Sequence, residues 1–129
     1  MFMLDIFKSE WVKVVPAGLE KPSGRINFPM NIVENQIWIF GGYTNGFFLN
    51  DMYNFDLNTN IWTKVNIVGE TPGARSGMTG HTFGERIIYT GGCNTTINQC
   101  YNEEWMFDRR TYEFKLIYQS QFQANDKSV

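Results

Sequence analysis

Histidine occurs once and cysteine twice in this 129-residue chain, and both scarcities rule something out. A lone His81, with no cysteine or carboxylate cluster beside it, does not supply the ligand set of a metal site. Cys93 and Cys100 alone do not make a disulfide scaffold. They lie seven residues apart in one segment and would pair only if it folded back, so inert thiols are the expectation. No basic block is longer than Arg109-Arg110, and the formal charge is −2, so the electrostatic footprint of nucleic-acid binding is missing. No apolar run approaches the roughly 18 residues of a membrane span. The opening MFMLDIFKSEW lacks the basic flank and cleavage site of a secretory signal. These absences lead us to expect a cytoplasmic chain with no membrane or nucleic-acid partner. The sequon Asn94-Thr95-Thr96 is then expected to stay unused.

Catalytic arrangements are equally scarce. Glu103 and Glu104 are adjacent, so on a strand they point to opposite faces and make poor acid–base partners. Gly41-Gly42 and Gly91-Gly92 are not followed by the lysine or helix of a phosphate loop. No nucleophile stands beside a base. The chain is expected to be no enzyme and to carry no cofactor.

Aromatic side chains are abundant, at 16% of residues, and they favour strands because flat rings fit a pleated surface. They recur with a rhythm. Trp11 and Trp62 are 51 residues apart, as are Gly18 and Gly69. Arg25 and Arg75 are 50 apart, and so are Gly41-Gly42 and Gly91-Gly92. Asp56 and Asp108 are 52 apart, as are Trp62 and Phe114. Leu4-Asp5 precedes Trp11 as Phe55-Asp56 precedes Trp62 and Phe107-Asp108 precedes Phe114. A repeat of about fifty residues is a supersecondary unit that stacks on its neighbours. Residues 1–15 read as the back half of one unit, 25–65 as a whole unit, 75–118 as a second, and 119–129 as a flexible polar tail.

Each whole unit reads as four short strands. In the second they are 77–83, 86–90, 104–107 and 113–117. The runs IWIF and RIIY do not alternate, which implies strands covered on both faces. Pro29 in INFPMNIV cannot donate to a ladder, so a bulge or an irregular first strand is expected.

The order Pro22, Arg25, Gly41-Gly42, Asn50-Asp51, Tyr53-Asn54-Phe55-Asp56, Thr59-Asn60-Ile61-Trp62 resembles the kelch repeat. The second copy has Pro72, Arg75, Gly91-Gly92, Asn102-Glu103, Trp105-Met106-Phe107-Asp108 and Phe114, with Glu103 where the motif has Asp and Phe114 where it has Trp. The resemblance implies an all-β, incomplete kelch-type β-propeller: two four-stranded antiparallel blades plus part of a third. It also gives Arg25, Gly41, Gly42, Trp62, Arg75, Gly91, Gly92 and Phe114 structural roles. The glycines relieve close backbone approach, and the outer-strand aromatics fill the space between blades. The arginines are expected to bond carbonyls or a carboxylate at the blade's end.

Propellers usually close with four to eight blades, and about fifty residues per blade leaves room for two and a half here. Further blades are expected as partners, from the same longer chain or from other copies. The resemblance implies non-catalytic binding of a protein or peptide through blade loops. The competing class is part of a propeller enzyme or metal-dependent specifier whose active residues lie on other blades. The long connections between second and third strands, 43–50 and 93–102, are the candidate binding loops. Tyr43, Phe47, Phe48, Asn98 and Tyr101 are their candidate partner-binding residues.

Overall fold

The computed structural model describes residues 1–120, and among them the regular structure is all β. β1 (Phe2–Asp5) and β2 (Glu10–Lys13) form a two-stranded ribbon. β3 (Met30–Val33), β4 (Gln36–Thr44), β5 (Phe47–Asp56) and β6 (Ile61–Lys64) form a four-stranded antiparallel sheet in chain order. β7 (Thr79–Phe83), β8 (Arg86–Thr90), β11 (Glu103–Asp108) and β12 (Glu113–Gln119) form a second. A small ribbon of β9 (Cys93–Asn94) and β10 (Gln99–Cys100) is inserted between β8 and β11. β12 reaches Gln119, past the expected start of the tail; residues 121–129 lie outside the described residues.

The repeat is visible atom by atom at the turns between third and fourth strands. Asp5, Asp56 and Asp108 each turn a carboxylate oxygen onto the backbone N–H two residues on, at 3.0, 2.8 and 2.9 Å. Four residues after each Asp, the chain enters the left-handed region, at Ser9, Asn60 and Tyr112. An aspartate suits this place because its short side chain caps its own turn. Pro29 causes no bulge: β3 begins at the next residue, where the ladder first needs an N–H.

The two sheets pack face to face. Val33, Trp38, Phe40 and Met52 from the first meet Ile87, Tyr89, Trp105, Phe107 and Phe114 from the second in one buried cluster. Phe114 is its hub, with ring centroids 5.1 Å from Phe40, 4.9 Å from Phe107, 5.9 Å from Tyr89 and 6.2 Å from Trp105. The opposite face of the first sheet buries Ile37, Ile39, Phe55 and Trp62, with Val14 and Phe28 packed on them. All four residues of IWIF are therefore buried. RIIY behaves differently: Ile87 and Tyr89 are buried, Arg86 is exposed and Ile88 half-buried. No sheet covers its far side among the described residues, and Phe83 stands 72% exposed there.

Chain segments between the sheets lock them in register. Gly42 N–H donates to Arg75 O, Arg75 N–H to Leu49 O, and Gly77 N–H to Asn27 O. Gly42 takes a φ of +104°, and a Cβ there would stand 2.8 Å from Ile26 O. Both the backbone angle and the crossing strand exclude any larger residue. Arg109 reaches both neighbouring turns, 2.9 Å from Glu34 and 2.6 Å from Glu85.

One motif position now has three environments. Trp62 and Phe114 are 9% and 8% exposed, whereas Trp11 is 70% exposed. Phe114 faces the preceding sheet; Trp11, on the first ribbon, meets no such sheet among the described residues. Phe114→Ala is expected to cost about 3–5 kcal/mol, the range for emptying a large buried aromatic site. Trp11→Ala should move stability by less than about 0.5 kcal/mol, as exposed substitutions do. Urea unfolding of the two variants beside the parent checks the contrast.

Candidate functional site

The second-to-third-strand connections emerge from the same end of the two sheets, since each occupies the same place in its unit. In the first sheet the segment expected as a loop is mostly strand. β4 and β5 stay paired out to Thr44–Phe47, leaving only Asn45-Gly46 as the turn. Asn45 and Gly46 both take positive φ, 46° and 88°, which the Asn-Gly pair accommodates with least strain. A rigid hairpin is formed instead of a flexible loop.

The hairpin divides the candidate residues. Tyr43 and Phe48 are cross-strand partners, and their rings meet edge to face at 5.0 Å. Both are half-buried, and Tyr43 also exchanges two 3.0 Å backbone hydrogen bonds with Ile26. Phe47, at the tip, is 70% exposed. Ile26, paired with Tyr43, is 59% exposed, a surface residue that sequence reasoning had no ground to choose. Its signal would have been the bridge to Tyr43, a tertiary contact.

The second connection carries a correction. Cys93 and Cys100 are not free thiols: they form a disulfide across the β9–β10 ribbon. The segment does fold back, because Asn98 takes a left-handed φ of 52° and its N–H reaches Thr95 O at 3.2 Å. Asn98 therefore serves the turn, and Ile97 next to it is 61% exposed. Asn94 Nδ2 donates to Ala74 O at 3.0 Å, so the nitrogen of the sequon is engaged in holding the hairpin base.

Tyr101 is half-buried under a guanidinium: the Arg75 fork lies 3.4 Å from its ring centroid. Arg75 is buried, and it donates to Gly73 O at 2.9 Å, Gly91 O at 3.2 Å and Glu103 Oε2 at 3.0 Å. Arg25 makes the matching set in the first sheet, to Gly41 O and both oxygens of Asp51. The longer Glu103 thus takes the place of aspartate, and it also accepts Trp105 Nε1 at 2.8 Å. Burial pulls the Arg75 pKa down, and the hydrogen bond and charge of Glu103 pull it back part of the way. Each arginine ties the first carbonyl of its glycine pair to a carboxylate on the third strand, and so fixes the base of a hairpin.

His81 is exposed on β7. Among the described residues, no three of His, Cys, Asp and Glu gather as metal ligands would. Glu103 is committed to Arg75, while Glu104 lies opposite Thr90. Between the first ribbon and the first sheet lies an open cleft of about 680 Å³, walled by Met3, Val12, Val14 and Leu57. Its walls are mostly apolar, and Asp5, Lys13, Asn35 and Asn60 also line it.

A family model described as the KLHDC2/KLHL20/DRC7 Kelch-repeats domain matches residues 1–127. Among curated proteins, the chain is 27% identical over 112 residues to tip elongation aberrant protein 1 of Schizosaccharomyces pombe, covering 83% of this chain and 10% of that protein. It is 26% identical over 119 residues to Kelch domain-containing protein 3 of Bos taurus, covering 83% and 30%. It is 27% identical over 115 residues to N-(sulfonatooxy)prop-2-enimidothioate sulfolyase of Thlaspi arvense, covering 81% and 33%. The chain spans from a tenth to a third of the length of these relatives.

Two predictions test the frame under the hairpins. Arg75→Ala leaves Glu103 without its buried cation and should cost about 3 kcal/mol or more. Arg75→Lys should recover little of that, because a lysine cannot make the forked contacts. Arg25→Ala should cost less, since Asp51 is more exposed than Glu103, and urea midpoints rank the three. The second concerns Asp108, whose pKa is lowered from 3.8 to about 2, first by the Arg110 side-chain hydrogen bond and then by its backbone N–H. A lowered folded pKa gives stability that is full above the unfolded value and is lost as pH falls through the folded one. Asp108 therefore contributes at neutral pH and loses its contribution between about pH 4 and pH 2. Arg110→Ala should raise the Asp108 pKa toward the ordinary carboxylate value, read by NMR titration.

Proposed function

The chain belongs to the Kelch-repeat family, and from that premise we propose that it is a non-catalytic protein-interaction module that binds through its hairpin tips. Kelch repeats are in general protein-interaction modules; the choice of contact residues is our reading. One observation carries it: Phe47 stands 70% exposed at the end of a hairpin stiffened by the Tyr43–Phe48 contact and a tight Asn-Gly turn. A large aromatic held rigidly in water loses little conformational entropy on binding and gains much apolar burial. Exposed Ile97, on the equivalent connection of the second sheet, extends the same apolar end. A protein or peptide with a hydrophobic anchor segment fits such a surface better than an acidic or basic ligand. Tyr43, Phe48 and Tyr101 then act as supports, and Phe47 as the contact.

We place this activity in the cytoplasm, in keeping with the cysteine-poor composition. Further blades, from the same polypeptide or other copies, would cover the far side of the second sheet, where Phe83 and Tyr118 are exposed. The likeness to the sulfolyase favours a second reading, in which the blades belong to an enzyme with its active residues elsewhere.

Placing a photo-crosslinking residue at position 47 should trap a partner in cell extract, with the crosslink mapping to that tip. Phe47→Ser should reduce recovery of that partner at least tenfold without changing the urea midpoint. Equal recovery from a folded Phe47→Ser chain would remove Phe47 from the interface.

A further inference from the structure

The two hairpin tips are built on the same frame but held by different chemistry. The residue after the glycine pair is Tyr43 in the first unit and Cys93 in the second. Each has a cross-strand partner, Phe48 and Cys100. In the first unit the partners are rings, and the strands around them pair continuously from Gln36 out to the tip apart from one bulge. In the second the ribbon pairs only at Gln99–Asn94 and Cys100–Cys93, and the partners are joined by a covalent bond. An isolated two-stranded ribbon is marginal in water even when longer than this. The crosslink therefore supplies the order that the pairs Gly42–Leu49, Tyr43–Phe48 and Thr44–Phe47 and an aromatic contact supply next door, where they continue the blade's own ladder.

The attachments of the two halves are also unequal. Cys93 exchanges backbone hydrogen bonds with Ser76 in both directions, at 2.9 and 3.0 Å. Tyr101 is pinned by its N–H to Gly92 O and by the Arg75 stack. Between these two fixed points, β10 pairs in its ladder with β9 among the described residues, and Asn94 Nδ2 donates to Ala74 O at the hairpin base. Both cysteines are half-buried rather than sealed in the core.

We propose that the Cys93–Cys100 bond is a reversible redox clamp that orders or releases the 94–100 hairpin tip while leaving the blade intact. The proposal rests on the reading that these tips contact partners, and it adds regulation to one of them. The reductant is a cellular dithiol. Its thiolate attacks one cysteine sulfur, and the other leaves as a thiolate and takes up a proton. The second thiol of the reductant then resolves the mixed disulfide. Two electrons pass to the chain, which ends with two thiols, while the reductant ends as a disulfide. In a reducing compartment the tip is open, and oxidation closes it; disulfides in such compartments are usually transient and sensing. Closing shortens the accessible conformations of the tip and presents Ile97 in one place, so a partner binds with less ordering cost.

The test uses the whole chain and needs no partner. The protein is equilibrated in glutathione buffers from fully reduced to fully oxidised, quenched by alkylation, and weighed. The expected count moves from two alkylated thiols to none, and returns when the buffer is reversed. Hydrogen exchange is then compared between the two end states. Amides of 94–100 should exchange at least tenfold faster after reduction, while those of β8 and β11 change less than twofold. The double substitution Cys93→Ser with Cys100→Ser should match the reduced chain; if it fails to fold, the reduced parent carries the comparison. Thiols that never pair in oxidised glutathione overturn the proposal, as does a bond that survives excess dithiol. So does reduction that leaves 94–100 unchanged, and so does reduction that loosens β8 and β11, which would make the bond a structural staple. None of these outcomes bears on Phe47, so failure here is separable from failure of the partner-binding reading.

Discussion

Phe114 touches Phe40 of the neighbouring sheet and Tyr89, Trp105 and Phe107 of its own, and this cluster of rings makes two sheets into one body. Neither sheet would be stable alone with that face in water, because a few hundred square ångströms of apolar surface would lie open. Burial also has a cost. Tyr89 Oη and Trp38 Nε1 are sealed in the cluster without hydrogen-bond partners, and burial drives the Tyr89 pKa upward, which keeps the phenol neutral. The apolar area of the rings outweighs the polar loss.

The core fixes the faces, but the ends of the sheets are set by polar contacts that repeat. Three aspartates cap three equivalent turns, and two buried arginines tie two glycine-pair carbonyls to two carboxylates. The glycine pairs let the chain between sheets cross close to the backbone, as Gly42 does against Ile26 and Arg75. These contacts leave the hairpin bases little freedom. Whatever the tips carry is then delivered in a defined position.

The tips themselves are where the two units part company. One ends in a continuous ladder with an exposed phenylalanine; the other ends in a short ribbon closed by a disulfide. Identity to the curated relatives named above stays near 27%. A repeated frame with unlike tips is what a binding scaffold requires: rigidity below and variety above.

Spacing alone determined the unit length, the four strands of each unit and the glycine pairs, because these depend on local periodicity and on residues that recur at fixed intervals; that Arg25 meets Asp51 and Arg75 meets Glu103 came from the fold. It also determined that IWIF would be covered on both sides, since a strand with no polar face has nowhere to turn one. Tertiary structure alone decided the rest. Trp11 and Trp62 are the same in sequence terms, yet one is in water and one is buried, since exposure depends on whether a neighbouring sheet is present. Phe47 and Phe48 are adjacent and identical in type; strand alternation sends one outward and the other onto Tyr43, and only the register says which. Cys93 and Cys100 gave no sign of bonding from their spacing, because a seven-residue separation brings two sulfurs together only when the turn between them closes in one register. Sequence rhythm is a property of neighbours along the chain, whereas exposure and pairing belong to neighbours across space.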